Sequence, residues 1–333
     1  MNTSTPQAGV HGSPMRFTCI LTNPPYQESN GSGSYGVGAR PLYHRFIQHA
    51  ISLAPRYALM IVPSRWFSGG LGLNAFRAQM LAERRISHMV DFLDSEKVFP
   101  GVRIGGGVNY FLWDREYDGD CRVTTRGRGA DYEQMRALGG YDIFIRHGRA
   151  LSIVEKVQAA GEPPLVVSVS APFDLATNFA DYSDTRFRGS VQLWARGNVG
   201  WVDRKLVTKN RDWIGQYKIL IPLMGVAVDA FPHQVIGRPF LIGRDSCCTQ
   251  TYLVLGAYDT IVEARNFERY TKTKFFRFLV MLRRPGILSS RSTFAFVLTL
   301  DMTVRWTDEM LYDAYGLTAD EVAFIETSVT ALT

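Results

Sequence analysis

Short apolar runs alternate with helically spaced segments along the first hundred residues. Arg16–Thr22 (RFTCILT) carries β-branched and aromatic residues and predicts a buried strand. It stops at Asn-Pro-Pro, which cannot continue a sheet ladder. Residues 28–40, rich in Gly, Ser and Asn, predict a loop. Leu42–Ala54 has helical spacing through Leu42, Phe46, Ile47, Ala50 and Ile51. Tyr57–Val62 predicts a second buried strand ended by Pro63, Leu71–Arg84 a helix, Ile86–Leu93 a strand, and Val108–Trp113 a further strand.

Strand and helix alternate to about residue 95, and two strands then follow in succession. That order predicts an α/β fold, the C-terminal half of a doubly wound sheet closed by an antiparallel hairpin. Residues 1–15 read as a flexible N-terminal tail, 16–145 as a partial catalytic domain, and 115–145 within it as a linker. Residues 146–333 form a second, α+β domain. Its helix Ala150–Ala160 leads into short strands with interspersed Trp and Tyr. Val262–Met281 reads as helical with a break near Tyr270-Thr271, and 301–333 as a helical end cap.

Composition adds limited constraints. The chain has 333 residues, 46% of them hydrophobic, and a net charge of +6. That excess suits a polyanionic partner. Four cysteines without CxxC or Cys/His spacing suggest neither a zinc site nor a disulfide framework, so no metal is expected and a reducing, cytoplasmic setting fits. No apolar run approaches a membrane span.

The chemistry concentrates in Asn23-Pro24-Pro25-Tyr26, directly after the first strand and therefore where α/β sheets bind ligands. Adenine N6 is a weak nucleophile because its lone pair is delocalised into the ring. Two acceptors holding both amino hydrogens favour the geometry in which that lone pair points at a methyl donor. The Asn23 side-chain carbonyl and the Pro24 backbone carbonyl offer such a pair, and the prolines restrict the backbone. Tyr26 offers a flat face for a flipped base. As a plain turn, the same four residues need no function.

The chain resembles the adenine-specific methylases of type II restriction-modification systems. The resemblance is carried by TNPPYQ at 22–27, VPSRWFSGGLGL at 62–73 and VDFLDSEKVFPGVRIGGGVNYFLWDR at 90–115. It continues in QYKILIP at 216–222, TYLVLGAYDTIVEARNFERYTKTKFFRFLV at 251–280 and WTDEMLYDAYGLTADEVAFIE at 306–326. It implies a Rossmann-like methyltransferase sheet with Asn23, Pro24, Pro25 and Tyr26 as the catalytic motif. It also implies a target-recognition domain on double-stranded DNA, and S-adenosyl-L-methionine as donor.

Such families place a Gly-rich donor turn before this motif. The 22 residues preceding Asn23 contain Gly9 and Gly12 but no strand–Gly–helix pattern. The donor-binding segment is therefore expected to be missing, or supplied by a separate polypeptide. The Gly105–Gly107 cluster leads into a strand and is a poor cofactor cradle. It reads either as a flexible connection or as a close backbone approach to base or DNA.

DNA contacts are expected from a cationic stretch with interleaved aromatics: Lys272, Lys274, Arg277, Arg283 and Arg284, with Arg265, Arg269 and Arg291 nearby. Arg65, after a strand end, is expected beside the target pocket with Trp66. Arg196, Arg204, Lys205, Lys209 and Arg211 form a second cluster among Trp194, Trp201 and Trp213. Asp91 and Asp94 with Glu96-Lys97 resemble a nuclease motif but read as a solvated loop.

Two readings stay open. One is a site-specific DNA adenine-N6 methyltransferase of a restriction-modification system. The other is a non-catalytic DNA-specificity module or truncated methylase remnant. Related motifs also methylate protein glutamine or RNA guanine, and the long region after the motif argues against the small protein-modifying enzymes.

Overall fold

The computed structural model describes residues 17–28, 40–127, 131–225, 232–284 and 289–332. The expected tail 1–15 and most of the 28–40 loop lie outside them. The chain divides into two units, Met1–Asp142 and Ile143–Thr333.

The first unit is mixed α/β. It contains β1 (Cys19–Thr22), α1 (Tyr43–Ser52), β2 (Tyr57–Pro63), α2 (Asn74–Leu81), β3 (Ile86–Phe92), β4 (Val108–Asp114), β5 (Cys121–Arg126) and β6 (Tyr132–Arg136). One six-stranded sheet runs in the order β1-β2-β4-β3-β5-β6. β1 pairs parallel with β2, and β3 parallel with β5. β4 runs antiparallel between β2 and β3. The carboxyl ends of β1, β2 and β3 and the amino end of β4 therefore share one sheet edge.

Alternation sets the faces. Ala58, Met60 and Val62 of β2, Phe111 and Trp113 of β4, and Met89 of β3 are fully buried. Leu59, Ile61, Val90, Tyr110 and Leu112, on the opposite face, are only half-buried. α1 packs on β2 with Tyr43, Ile47 and Ala50 inward. It lies beside α2, where Tyr43 meets Phe76 edge-on at 6.3 Å and the Gln48 amide donates to Gln79 at 2.7 Å. Gly69 in the turn before α2 has φ +77°, and the Arg77 guanidinium occupies the space a Cβ would take.

The antiparallel pairing of the strands at 86–92 and 108–114 matches expectation. Two expectations do not hold: β1 is not buried, because it pairs on one side only and leaves Cys19 and Leu21 exposed, and 115–145 is not a linker. Cys121, Val123 and Thr125 alternate inward, so β5 extends the sheet, and β6 pairs with it.

The second unit opens with α3 (Leu151–Ala159). It continues with β7 (Ser190–Ala195), β8 (Asn198–Asp203), β9 (Tyr217–Pro222), β10 (Phe240–Ile242), β11 (Ser246–Cys248) and β12 (Tyr252–Tyr258). Then come α4 (Ile261–Lys272), α5 (Lys274–Arg283), α6 (Asp308–Ala314) and α7 (Ala319–Ser328). Its strands form two three-stranded sheets, β10-β9-β12 and β11-β7-β8. Leu193, Val202, Leu220, Cys247 and Val254 join both in one core. α4 and α5 meet at Thr273, whose hydroxyl accepts from Phe276 N at 3.2 Å and so caps α5. No helix of the described residues is long and apolar enough to cross a membrane.

Lys218 on β9 is fully buried. Its ammonium donates to the carbonyls of Gln216 at 2.6 Å and Trp213 at 2.8 Å. Burial pushes it down from 10.5 to about 8. Between those values the unfolded chain holds the proton and the native one does not, so native stability rises with pH across that window. Relative to Lys218→Met, the wild type should gain up to about 3 kcal/mol between pH 8 and 10.5. Urea midpoints of the two proteins at several pH values check this, and parallel pH profiles would refute it.

Candidate functional site

β1 ends at Thr22, so Asn23 emerges at the shared sheet edge, exposed. Pro24 is buried and anchors the turn, Pro25 is exposed, and Tyr26 is half-buried. The turn is tied to the start of α1. Leu42 N donates to Tyr26 O at 3.0 Å, Glu28 N donates to Arg40 O at 3.0 Å, and Gln27 bridges Pro41. Glu28 also pairs with Arg45 at 3.6 Å. The Tyr26 hydroxyl has no hydrogen-bond partner among the described residues, and burial pushes the phenol up to about 12.

Next along the edge, β2 runs into a single 3-10 turn, Ser64–Phe67. Arg65 points outward while Trp66 and Phe67 are buried, their rings 4.6 Å apart. Trp66 also meets Phe76 at 5.9 Å. The turn thus presents a cation from a rigid aromatic base. Sequence reasoning expected Arg65 on the Asn23 side of the sheet, and the parallel pairing of β1 with β2 brings both to that edge. Trp66 packs inward and leaves no ring face for a base.

The loop from β3 to β4 is pinned rather than slack. The Ser95 hydroxyl donates to Val102 O and accepts from Ile104 N, both at 2.8 Å. Gly106 and Gly107 have φ of +85° and +76°, which closes a turn with Gly107 N on Ile104 O. Gly107 O accepts from Ser64 N at 3.0 Å, joining this loop to the Arg65 turn.

Sequence reasoning missed what lies beneath the edge. Asp91 is fully buried, not part of a solvated loop. Its Oδ1 accepts from the Ser64 hydroxyl at 2.7 Å, and Ser64 Oγ accepts from Asn109 Nδ2 at 3.2 Å. Asn109 Nδ2 also reaches Val62 O at 3.3 Å. The register that lines Val62, Asn109 and Asp91 across β2, β4 and β3 makes this possible. The available signal was parity: in Val90-Asp91-Phe92, Asp91 shares the inward face of Met89. Asp94 caps the 3-10 turn Ser95–Lys97 by accepting from Glu96 N at 3.0 Å. Among the described residues no group of three His, Cys, Asp or Glu side chains converges as a metal site requires.

The cationic stretch of the second unit needs correction. Arg277 is fully buried, with its Nε on the carbonyls of Lys272 and Thr273 and Nη1 on Gln234 O at 3.3 Å. Burial pushes it down to about 10. Arg283 is buried over the Phe296 ring and donates to Ser292 O at 2.8 Å, and Arg284 donates to Val235 O. Lys272 pairs with Glu268 at 2.8 Å and Lys274 with Glu326. Phe275 to Val280, Arg277 included, are all buried and Lys274 and Met281 are half-buried, so α5 is a core helix whose cations serve internal carbonyls and carboxylates. It offers no continuous cationic face.

Residues 2–99 match the family model of the Eco57I restriction-modification methylase. An uncharacterized adenine-specific methylase of Mycoplasma pneumoniae is 40% identical over 114 residues, which is 34% of this chain and 27% of that relative. The type IIG restriction endonuclease BpuSI matches with a TM-score of 0.37 at 9% identity, over 92% of this chain and 49% of its own. The type IIL restriction-modification enzyme MmeI, solved with DNA, gives 0.42 at 8% identity, over 95% and 55%. The chain thus spans about half the length of those two enzymes, and its matched stretch about a quarter of the curated relative. Residues 2–99, which carry Asn23-Pro24-Pro25-Tyr26 and the Arg65 turn, are thus similar to the Eco57I restriction-modification methylase family.

Proposed function

We propose that the chain takes part in S-adenosylmethionine-dependent methylation of adenine N6 in double-stranded DNA, holding the flipped base within a restriction-modification system. One observation carries the reading: Asn23-Pro24-Pro25-Tyr26 leaves the carboxyl end of a parallel strand with Pro24 buried and Asn23 exposed. The strand order supports a C-terminal half of a doubly wound sheet, because β1, β2 and β3 run one way with helices in the crossovers.

In this reading Asn23 Oδ1 and the Pro24 carbonyl accept the two N6 hydrogens and turn the nitrogen lone pair outward. Tyr26 stacks on the base, and Arg65 steadies a phosphate or base edge at the rim. The donor, when bound, supplies an electrophilic methyl group. The described glycine clusters do not fit it. In Gly105–Gly107 the last amide is engaged by Ile104 O, and at Gly69 the Arg77 guanidinium fills the space. The proposal assigns donor binding to residues outside those described or to a separate polypeptide, which the half-buried face of Leu59, Ile61, Val90, Tyr110 and Leu112 would suit, since doubly wound sheets cover both faces. Residues 143–333 act as the target-recognition domain. The reading as a DNA-specificity remnant keeps this domain and drops the chemistry.

The test is transfer of a tritiated methyl group to duplex DNA, with the product digested to nucleosides. With the donor-binding component present, label in N6-methyl-2'-deoxyadenosine is expected, and label confined to another base or to protein would overturn the proposal. Because the Tyr26 hydroxyl is unpartnered, Tyr26→Phe should keep kcat/KM within about threefold, whereas Tyr26→Ala should lose about 10- to 100-fold with the stacking face. A large loss in Tyr26→Phe would show that the hydroxyl, not the ring, matters.

A further inference from the structure

Residues 186–211 hold seven Lys or Arg against one acid, Asp203. That excess equals the +6 of the entire chain, so the remaining residues are balanced. All seven cations are exposed. Lys209 pairs with Asp174 at 2.6 Å, and Arg204 lies 4.0 Å from Asp245. Arg188, Arg196, Lys205 and Arg211 have no side-chain hydrogen bond or ion pair among the described residues. The α5 cations, by contrast, are consumed internally.

The backbone places these groups together. β7 and β8 form a hairpin in register Ser190↔Asp203 to Ala195↔Asn198. Its closing turn carries Arg196. At its open end Arg204 N donates to Gly189 O at 3.1 Å, which sets Arg188 beside Arg204 and Lys205. The ends are roughly 20 Å apart, from six residues at ~3.3 Å each. Between them Val191, Leu193 and Val202 face the core, while Gln192, Val199 and Trp201 face the other way. Val199 is 47% exposed, and the Arg186 guanidinium lies 5.2 Å over the Trp201 ring.

We propose that this outer face of β7–β8, with the cations at both ends, docks the phosphodiester backbone of duplex DNA. The proposal rests on the DNA reading above and assigns its contact surface. Charge complementarity carries it. Duplex DNA bears one charge per ~1.7 Å of axis, and each phosphate neutralised releases counterions. Arg188, Arg196, Lys205 and Arg211, which no acid satisfies, are the groups such a backbone recruits, and between them the strands present Gln192, Val199 and Trp201.

The experiment measures binding of the full chain to a mixed-sequence duplex as a function of salt. For the triple substitution Arg188→Gln, Arg196→Gln and Lys205→Gln, the slope of log Kobs against log salt should fall in magnitude by about 2 to 3. The exchange to Arg188→Lys, Arg196→Lys and Lys205→Arg should restore it. The pair Arg265→Gln and Arg269→Gln on α4 should leave the slope unchanged. An unaltered slope in the triple variant, or an equal fall in the α4 pair, overturns the assignment while leaving DNA binding intact. A wild-type chain that fails to bind duplex even at about 50 mM salt overturns both the assignment and the DNA reading.

Discussion

Asn23→Ala is expected to lower methyl transfer to DNA adenine by about 100- to 1,000-fold, the scale on which losing one preorganised polar group at a reacting centre acts. The alanine keeps the β-carbon and both prolines, so Pro24 stays buried and the ties of Tyr26 and Glu28 to residues 40–42 persist. Only the side-chain amide is lost, the group the proposal assigns as acceptor for an N6 hydrogen. Asn23 is exposed at the sheet edge, so melting should stay within about 0.5 kcal/mol of wild type. The measurement is tritium incorporation into duplex DNA with the donor-binding component present. Equal incorporation by both proteins would remove Asn23 from the chemistry.

Asp91→Leu should have the largest effect on the fold of the first unit, about 3 to 5 kcal/mol, because removing one member of a buried charged network strands its partners. The Ser64 hydroxyl loses its acceptor, and Asn109 and the buried Arg136 lose a nearby carboxylate. Asp91→Asn retains an acceptor for Ser64 and should cost roughly half as much. Hydrogen exchange of the β3 and β4 amides reads the effect locally, apart from the second unit. Protection unchanged in Asp91→Leu would show that the network contributes little to holding the three strands together.

The sequence made the element types of the first unit legible because their signals are local. Tyr57–Pro63 is a bounded apolar run, and Pro24-Pro25 and Pro63 punctuate its neighbourhood. The placement of β4 between β2 and β3 is not local, since it depends on pairing partners that no periodicity encodes. The same holds at the site. The placement of Asn23 and Arg65 after strand ends is legible locally, whereas Asp91, Ser64 and Asn109 form a network only once three strands are in register. The α5 cations misled for a related reason. Charge in sequence resembles charge on a surface, but Arg277 and Arg283 are buried with the aromatics that flank them. Residues 115–145 were passed over because charged outward positions of β5 masked its inward alternation of Cys121, Val123 and Thr125.

The antiparallel strand between β2 and β3 has a consequence for how the protein is made. As the chain leaves the ribosome, β1, β2 and β3 appear first, with a gap at the centre of their sheet. A nascent chain ending at residue 99 would hold every residue of the matched methylase stretch, yet nothing would join β2 to β3. Closure waits for residues 108–114, and with them Asn109, the bridge from Val62 to Ser64. Until those residues emerge, Asp91 of β3 has no strand to hold it beside Ser64 and the Arg65 turn, although the Asn23 turn already has its ties to β2 and to residues 40–42.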